Sequence, residues 1–173
     1  MAQVRFARSV RSTMQAAAVL AGLLGGVAQA QAERASHAAG PFGDFIGNWA
    51  GAGTINLANG SSEKIRCQAA YATGSDSSNL RSIIRCASDS YKFELASDVT
   101  GEGGKFSGAW RESTRNIAGR IAGTARPGEL QGAIDIPGFK AGVNIATRGN
   151  RQLVSIKSQG TELAGVSISL ARK

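Results

Sequence analysis

The chain has 173 residues, with 20 Lys and Arg against 12 Asp and Glu for a net charge of +8, and it contains 23 Gly, 2 Cys and 1 His. That length sets a single domain as the default, and 42% hydrophobic with 18% charged residues is a globular composition rather than a disordered one. One histidine and two cysteines exclude the usual all-protein four-ligand zinc site and leave a histidine-based triad little to work with, which weakens most enzyme readings.

Arg5, Arg8 and Arg11 open the chain with no acid among them, and the apolar run from Met14 to Val27 ends in Ala28-Gln29-Ala30. A basic start, a short apolar run and small residues at its end form the secretory signal pattern, so residues 1–30 are expected to be a signal peptide cleaved after Ala30. The run is shorter than the ~20 residues a bilayer span requires. A lipoprotein would need a cysteine just after the cleavage point, whereas the cysteines are Cys67 and Cys86. The mature chain is therefore expected to be free and soluble, in the periplasm or secreted. Loss of three arginines leaves 17 basic against 12 acidic residues, or +5. These charges are scattered singly, which argues against a nucleic-acid partner. Residues 31–43, which include His37, read as a flexible N-terminal tail, and residues 44–173 as the folded domain.

From Asp44 onward the sequence divides into short segments. Turn-forming residues recur at Ala58-Asn59-Gly60, Gly74 to Asn79, Ser88-Asp89-Ser90, Gly101 to Gly104, Ser113 to Asn116, Arg126-Pro127-Gly128, Pro137-Gly138, Gly149-Asn150 and Gln159-Gly160. Nine turns separate ten candidate strands, with spacing near the ~8–12 residues of a meandering sandwich or barrel. Asn59-Gly60-Ser61 also matches a glycosylation sequon, but an Asn-Gly pair at a hairpin position explains it more simply.

Alternation assigns the faces. Ile65, Cys67, Ala69 and Tyr71 share one side of the second strand, and Lys64, Arg66 and Gln68 the other. Leu80, Ile84 and Cys86 oppose Arg81 and Arg85 in the third, where Ile83 breaks the polarity of the outer side. Tyr91, Phe93 and Leu95 oppose Lys92 and Glu94 in the fourth. The later strands follow suit with Phe139, Ala141, Val143 and Ile145, then Val154 and Ile156, then Val166, Ile168 and Leu170. A sheet of this many strands with one wet face must curl over its apolar face or split into two layers. The predicted class is all-β, an antiparallel up-and-down barrel of about 8–10 strands.

The cysteines fix a register. Paired residues of an antiparallel hairpin have a constant sum of residue numbers, so pairing Cys67 with Cys86 centres the turn between Asp76 and Ser77, inside the polar stretch Gly74 to Asn79. Both cysteines fall on apolar sides, and export supplies an oxidising compartment. A structural cross-strand disulfide is expected; a redox pair would call for Cys-x-x-Cys or a helix N-terminus.

A pattern of bulky apolar, any, Gly, any, bulky apolar recurs in Phe45 to Trp49, Phe106 to Trp110, Ile117 to Ile121 and Leu130 to Ile134. Period two puts each glycine on the side of its bulky neighbours, where it leaves room for a facing side chain and lets a strand coil sharply. This pattern, with Gly47-Asn48-Trp49 opening the first strand, resembles the calycin barrels: lipocalins, fatty-acid-binding proteins and avidins. The resemblance implies a calycin-like barrel in which Trp49 packs under an arginine late in the chain, for which Arg172 is the candidate. Gly47, Trp49 and Arg172 would then form a barrel-closing motif. The chain also resembles small exported proteins of α-proteobacteria with no assigned activity. Biotin binding does not carry over, because the avidin pocket uses several tryptophans and this chain has two. Haem binding as in nitrobindin-like barrels does not carry over either, since His37 precedes the barrel; no cofactor is expected.

Three functional classes remain. In the first, inward Tyr71, Tyr91, Phe93, Phe106 and Trp110, with Glu112 on the face of Trp110, line a cavity for a small apolar ligand. In the second, the protein is a scaffold for another envelope protein, such as a protease inhibitor whose tail, Gln31 to Gly40, enters a protease cleft. The third, an outer-membrane barrel, requires an apolar outer band, which Lys64, Arg66, Arg81, Arg85, Lys92 and Glu94 oppose. An enzyme would have to work through Glu112, Asp135 or Asp44; burial would raise the pKa of Glu112, and a strand-end ion pair with Arg111, Arg115 or Arg120 is its simpler role. The expectation is a non-catalytic monomeric binding barrel.

Overall fold

The computed structural model describes residues 40–173; the expected signal peptide, His37 and the tail through residue 39 lie outside the described residues. A single 3-10 turn, Gly43–Phe45, precedes ten strands: β1 Gly47–Leu57, β2 Ser62–Thr73, β3 Asn79–Ala87, β4 Lys92–Glu102, β5 Lys105–Glu112, β6 Ile117–Arg126, β7 Glu129–Ile136, β8 Phe139–Arg148, β9 Arg151–Gln159 and β10 Leu163–Arg172. Each strand pairs antiparallel with its sequence neighbours, and β1 pairs with β10, which closes the barrel and removes both sheet edges. All nine turns fall where the sequence puts them. At the β1–β2 turn the Asn59 side chain accepts a hydrogen bond from the Ser61 amide at 2.9 Å, the local bond that makes asparagine a turn residue.

The expected register holds along the whole β2–β3 hairpin. Cys67 faces Cys86 and the pairs run from Arg66 with Ala87 to Thr73 with Leu80. The two cysteines form a disulfide with a Cα–Cα distance of 4.1 Å, the short spacing of a non-hydrogen-bonded pair. Both face inward and are buried.

Inward glycines act where the wall needs close approach. A Cβ on Gly108 would lie 2.1 Å from the Asp98 carbonyl oxygen of β4, so only glycine lets β5 coil this tightly. Gly119 instead makes room: a Cβ there would sit 3.1 Å from Nε1 of Trp110, which covers it. Outward positions carry the charges, paired across strands as Arg81 with Asp98 at 3.1 Å and Arg85 with Glu94 at 2.6 Å. These pairs are exposed and stabilise little.

The fold reaches back beyond Asp44, where the sequence puts the domain boundary. Phe42 is fully buried and lies against Gly101, whose missing side chain leaves the space for its ring. A lone aromatic in an Ala-rich stretch has no periodic neighbours to announce it.

Candidate functional site

One end of the barrel is sealed. The 3-10 turn brings Phe45 under the strands, and Nε1 of Trp49 donates to the Phe45 carbonyl at 2.8 Å. The Arg172 guanidinium stacks over the Trp49 ring, 4.2 Å from its centroid, and donates to the carbonyls of Ile46 and, at 3.0 Å, Asp44. A Cβ on Gly47 would come within 2.7 Å of that guanidinium, which explains the glycine two residues before the tryptophan. Register makes the arrangement possible, because Trp49 and Arg172 are direct partners across β1 and β10. Beside them the Tyr71 hydroxyl donates to Oε1 of Gln152 at 2.9 Å, and Nε2 of Gln152 donates to Thr147 at 3.0 Å. Gln152 is fully buried, and burial pushes the Tyr71 hydroxyl pKa well up. Each polar group in this plug has a partner, as burial requires.

The other end is open. Inward side chains near the plug, such as Leu80, Val99, Leu130 and Val154, are buried, and toward the other end the lining divides: Ile55, Ile65, Cys86 and Val166 stay buried, whereas inward Ile84, Leu95, Ile121, Ile134, Val143 and Ile156, on β3, β4 and β6 to β9, are only half-buried. All lie on inward positions of the alternation, so what differs is the side of the wall: the lining is packed dry across β1, β2 and β10 and left partly wet from β3 round to β9. The lumen is thus a cup with an apolar wall and a sealed floor. The strands tilt, so a row of paired residues climbs as it passes round the wall. The inward row Gly47, Tyr71, Ser82, Ser97, Trp110 and Gly119 starts at the plug and ends at the rim.

Two acids stand at inward positions by the rim, Glu63 and Glu112, and both are already engaged. The Glu112 carboxylate accepts from the amides of Glu94, Thr114 and Arg115 and from the Thr114 hydroxyl, and pairs with the Arg115 guanidinium at 3.8 Å. Burial pushes its pKa up, as the sequence implies, but these hydrogen bonds outweigh burial and hold it below the ordinary 4.5. Glu63 accepts from the Ser90 amide at 2.9 Å, and the serines at 88 and 90 hold its carboxyl below the ordinary range.

The six residues expected to line a cavity do not come together. Tyr71 and Phe106 pack into the sealed half, Tyr91, Phe93 and Trp110 stand in the open half, and the carboxylate of Glu112 caps the β5–β6 turn. Period two assigns a face but not a height along the barrel, which depends on the tilt. Gln152, Thr147, Ser82 and Ser97 were not anticipated inside. Each sits at an inward position of its strand, but a polar residue in an apolar set reads as a break. Two recesses of about 740 and 260 Å³ indent the β7–β10 side. The larger one is bordered both by outward Gly142, Lys157 and Ser167 and by inward Ile134, Ala141, Ile156 and Val166, so it lies at the wall of β7 to β10 rather than beside Trp110. Among the described residues no group of His, Cys, Asp or Glu is placed to hold a metal ion.

No protein-family model matches the sequence, and a search of curated proteins finds no match either. Solved structures do match. The chain is similar to Rv2717c from M. tuberculosis, with a TM-score of 0.58, 12% identity, and coverage of 75% of this chain and 93% of that one. It is also similar to the S-type phycobiliprotein lyase CPES from Guillardia theta, with a TM-score of 0.55, 11% identity, and coverage of 76% and 90%. What they share with this chain is the fold, here a closed antiparallel ten-stranded barrel. At these identities the likeness extends to architecture alone.

Proposed function

We propose that this is an exported, non-catalytic barrel that holds a small apolar molecule in the open half of its lumen. The observation that carries the reading is a set of inward apolar side chains on β3 to β9 that the closed wall leaves only half-buried. The same apolar alternation that makes a dry core near Trp49 leaves Ile84, Leu95, Ile121 and Val143 half-buried at the other end. Apolar side chains left partly wet inside a closed wall are the usual lining of a ligand site. Export, with a periplasmic or secreted location, follows from the N-terminal pattern and suits the disulfide. It also suits the resemblance to small exported proteins of α-proteobacteria. The outer wall favours a monomer free of the membrane: its large exposed hydrophobics among the described residues are Ile83 and Leu153, too few and too scattered for a lipid-facing band.

Catalysis has less support. The lyase named among the similar structures shares the fold, but Glu112, the acid nearest the lumen, is committed to a turn and held ionised. The test is native mass spectrometry of mature protein purified from its own periplasm. A reproducible bound molecule, or uptake of a neutral apolar dye, is the expected result. An empty protein that takes up no dye would sink the reading.

A further inference from the structure

Resting on that reading, we infer that the ligand is neutral and carries one hydrogen-bond acceptor, such as a carbonyl oxygen, which is met inside the lumen by the hydroxyl pair Ser82 and Ser97. The two hydroxyl oxygens are 2.7 Å apart on directly paired positions of β3 and β4. Two hydroxyls supply two hydrogens, and the bond between them uses one. The second hydrogen has no acceptor among the described residues. Ser82 is buried and Ser97 half-buried, so the pair sits on the lumen wall where the open half meets the plug. Trp110 is the direct partner of Ser97 on β5, which puts an aromatic ring beside the hydroxyls, and its own indole donor is spent on the Arg120 carbonyl at 3.3 Å.

The other polar groups that face the lumen beside this pair are engaged within the protein. Tyr71, Thr147 and Gln152 bond to one another, Ser158 donates to the Leu163 carbonyl, Glu63 and Glu112 hold turns, and Arg172 covers Trp49. An apolar pocket with one unspent donor selects an apolar molecule with one acceptor, since a matched hydrogen bond gains modestly while an unmatched polar group is costly to bury. Charge is selected against. No inward strand position in the open half carries Lys or Arg, and at the rim Arg115 already pairs with Glu112, so a carboxylate inside the lumen would be unpaired. An amine would find both rim carboxylates already hydrogen-bonded.

The experiment displaces the neutral dye N-phenyl-1-naphthylamine from the mature protein with four probes of equal chain length: heptane, 2-heptanone, heptanoate and heptylamine. The expected order has 2-heptanone binding several-fold to about tenfold more tightly than heptane, with heptanoate and heptylamine weakest. In Ser82→Ala/Ser97→Ala the ketone should lose its advantage while heptane binds as before. Ser97→Ala alone, with a thermal melt on each variant, separates lost recognition from lost fold. Equal binding of ketone and alkane, or tighter binding of either charged probe, overturns the inference and leaves a general apolar cup standing. Failure of the dye and all four probes to bind removes the binding reading itself.

Discussion

Removing the Arg172 side chain should open the sealed end and cost stability without touching the lumen. The guanidinium makes three contacts: a cation–π stack at 4.2 Å from the Trp49 ring centroid, and hydrogen bonds to the carbonyls of Ile46 and Asp44. The stack contributes roughly 0.5–2 kcal/mol. A charge-assisted bond contributes about 1.5–3 kcal/mol when its acceptor is hidden from water. The Asp44 bond is exposed, so water replaces it cheaply. The Ile46 carbonyl is part-buried and loses its partner. We therefore expect Arg172→Ala to destabilise the protein by about 3 kcal/mol, one full bond plus the stack. For a domain of this size that lowers Tm by roughly 10 °C. Urea denaturation followed by tryptophan fluorescence measures it. Arg172→Met keeps an apolar chain over the ring and should fall between the two, and Arg172→Lys should recover only part, because an ammonium cannot present the planar fork that reaches two carbonyls. A midpoint for Arg172→Ala within about 0.5 kcal/mol of the parent would refute this account of the closed end.

The disulfide closes a loop with a sequence separation of 19, so Cys67→Ala/Cys86→Ala should lose about 3 kcal/mol on the chain-entropy model. Reductant should lower the urea midpoint of the parent to about that of the double variant; a parent insensitive to reductant would count against a structural role. Glu112→Gln tests the turn carboxylate, whose folded pKa lies below the ordinary 4.5. Its contribution is fully present above the unfolded value and is lost as pH falls through the folded value. The variant should be less stable by about 2 kcal/mol at neutral pH, and the gap should close in acid; a gap that widens below pH 4.5 reverses the sign and defeats the assignment.

Much of the architecture was legible because it follows from local rules. Turn residues fall between all ten strands, and one pair of cysteines sets a register that then holds for the whole β2–β3 hairpin. Gly47, Trp49 and Arg172 could be singled out from spacing and resemblance, yet the reason for the glycine became visible only when the guanidinium was seen against it. The candidate site was less legible. Tyr71 and Trp110 share an inward row, but strand tilt carries one into the plug and the other toward the rim, and tilt is a property of the closed sheet rather than of any strand. Ser82 and Ser97 stand in alternation with Leu80, Ile84, Leu95 and Val99. In a one-dimensional pattern they lower the apolar score of two strands; only their pairing across β3 and β4 makes them a feature.

The two ends of the barrel divide stability from recognition. At the plug the named polar groups are spent: Arg172 on carbonyls and a ring, Tyr71, Gln152 and Thr147 on one another. Such a network fixes one packing and leaves nothing to offer a ligand. In the open half the wall from β3 to β9 is apolar and half-wet, and the Ser82–Ser97 pair offers a spare donor. A barrel dry throughout would have gained more from burial at about 25 cal/mol per Å², and glycines at inward positions work against that by withholding side chains. Gly108 has a backbone reason in the Asp98 carbonyl, and Gly119 a reason in Trp110. Both reasons serve the wall rather than the filling, since one lets the strand coil and the other lets the indole approach the neighbouring strand. The glycines therefore shape a cup, and the open half forgoes stability in order to have an interior.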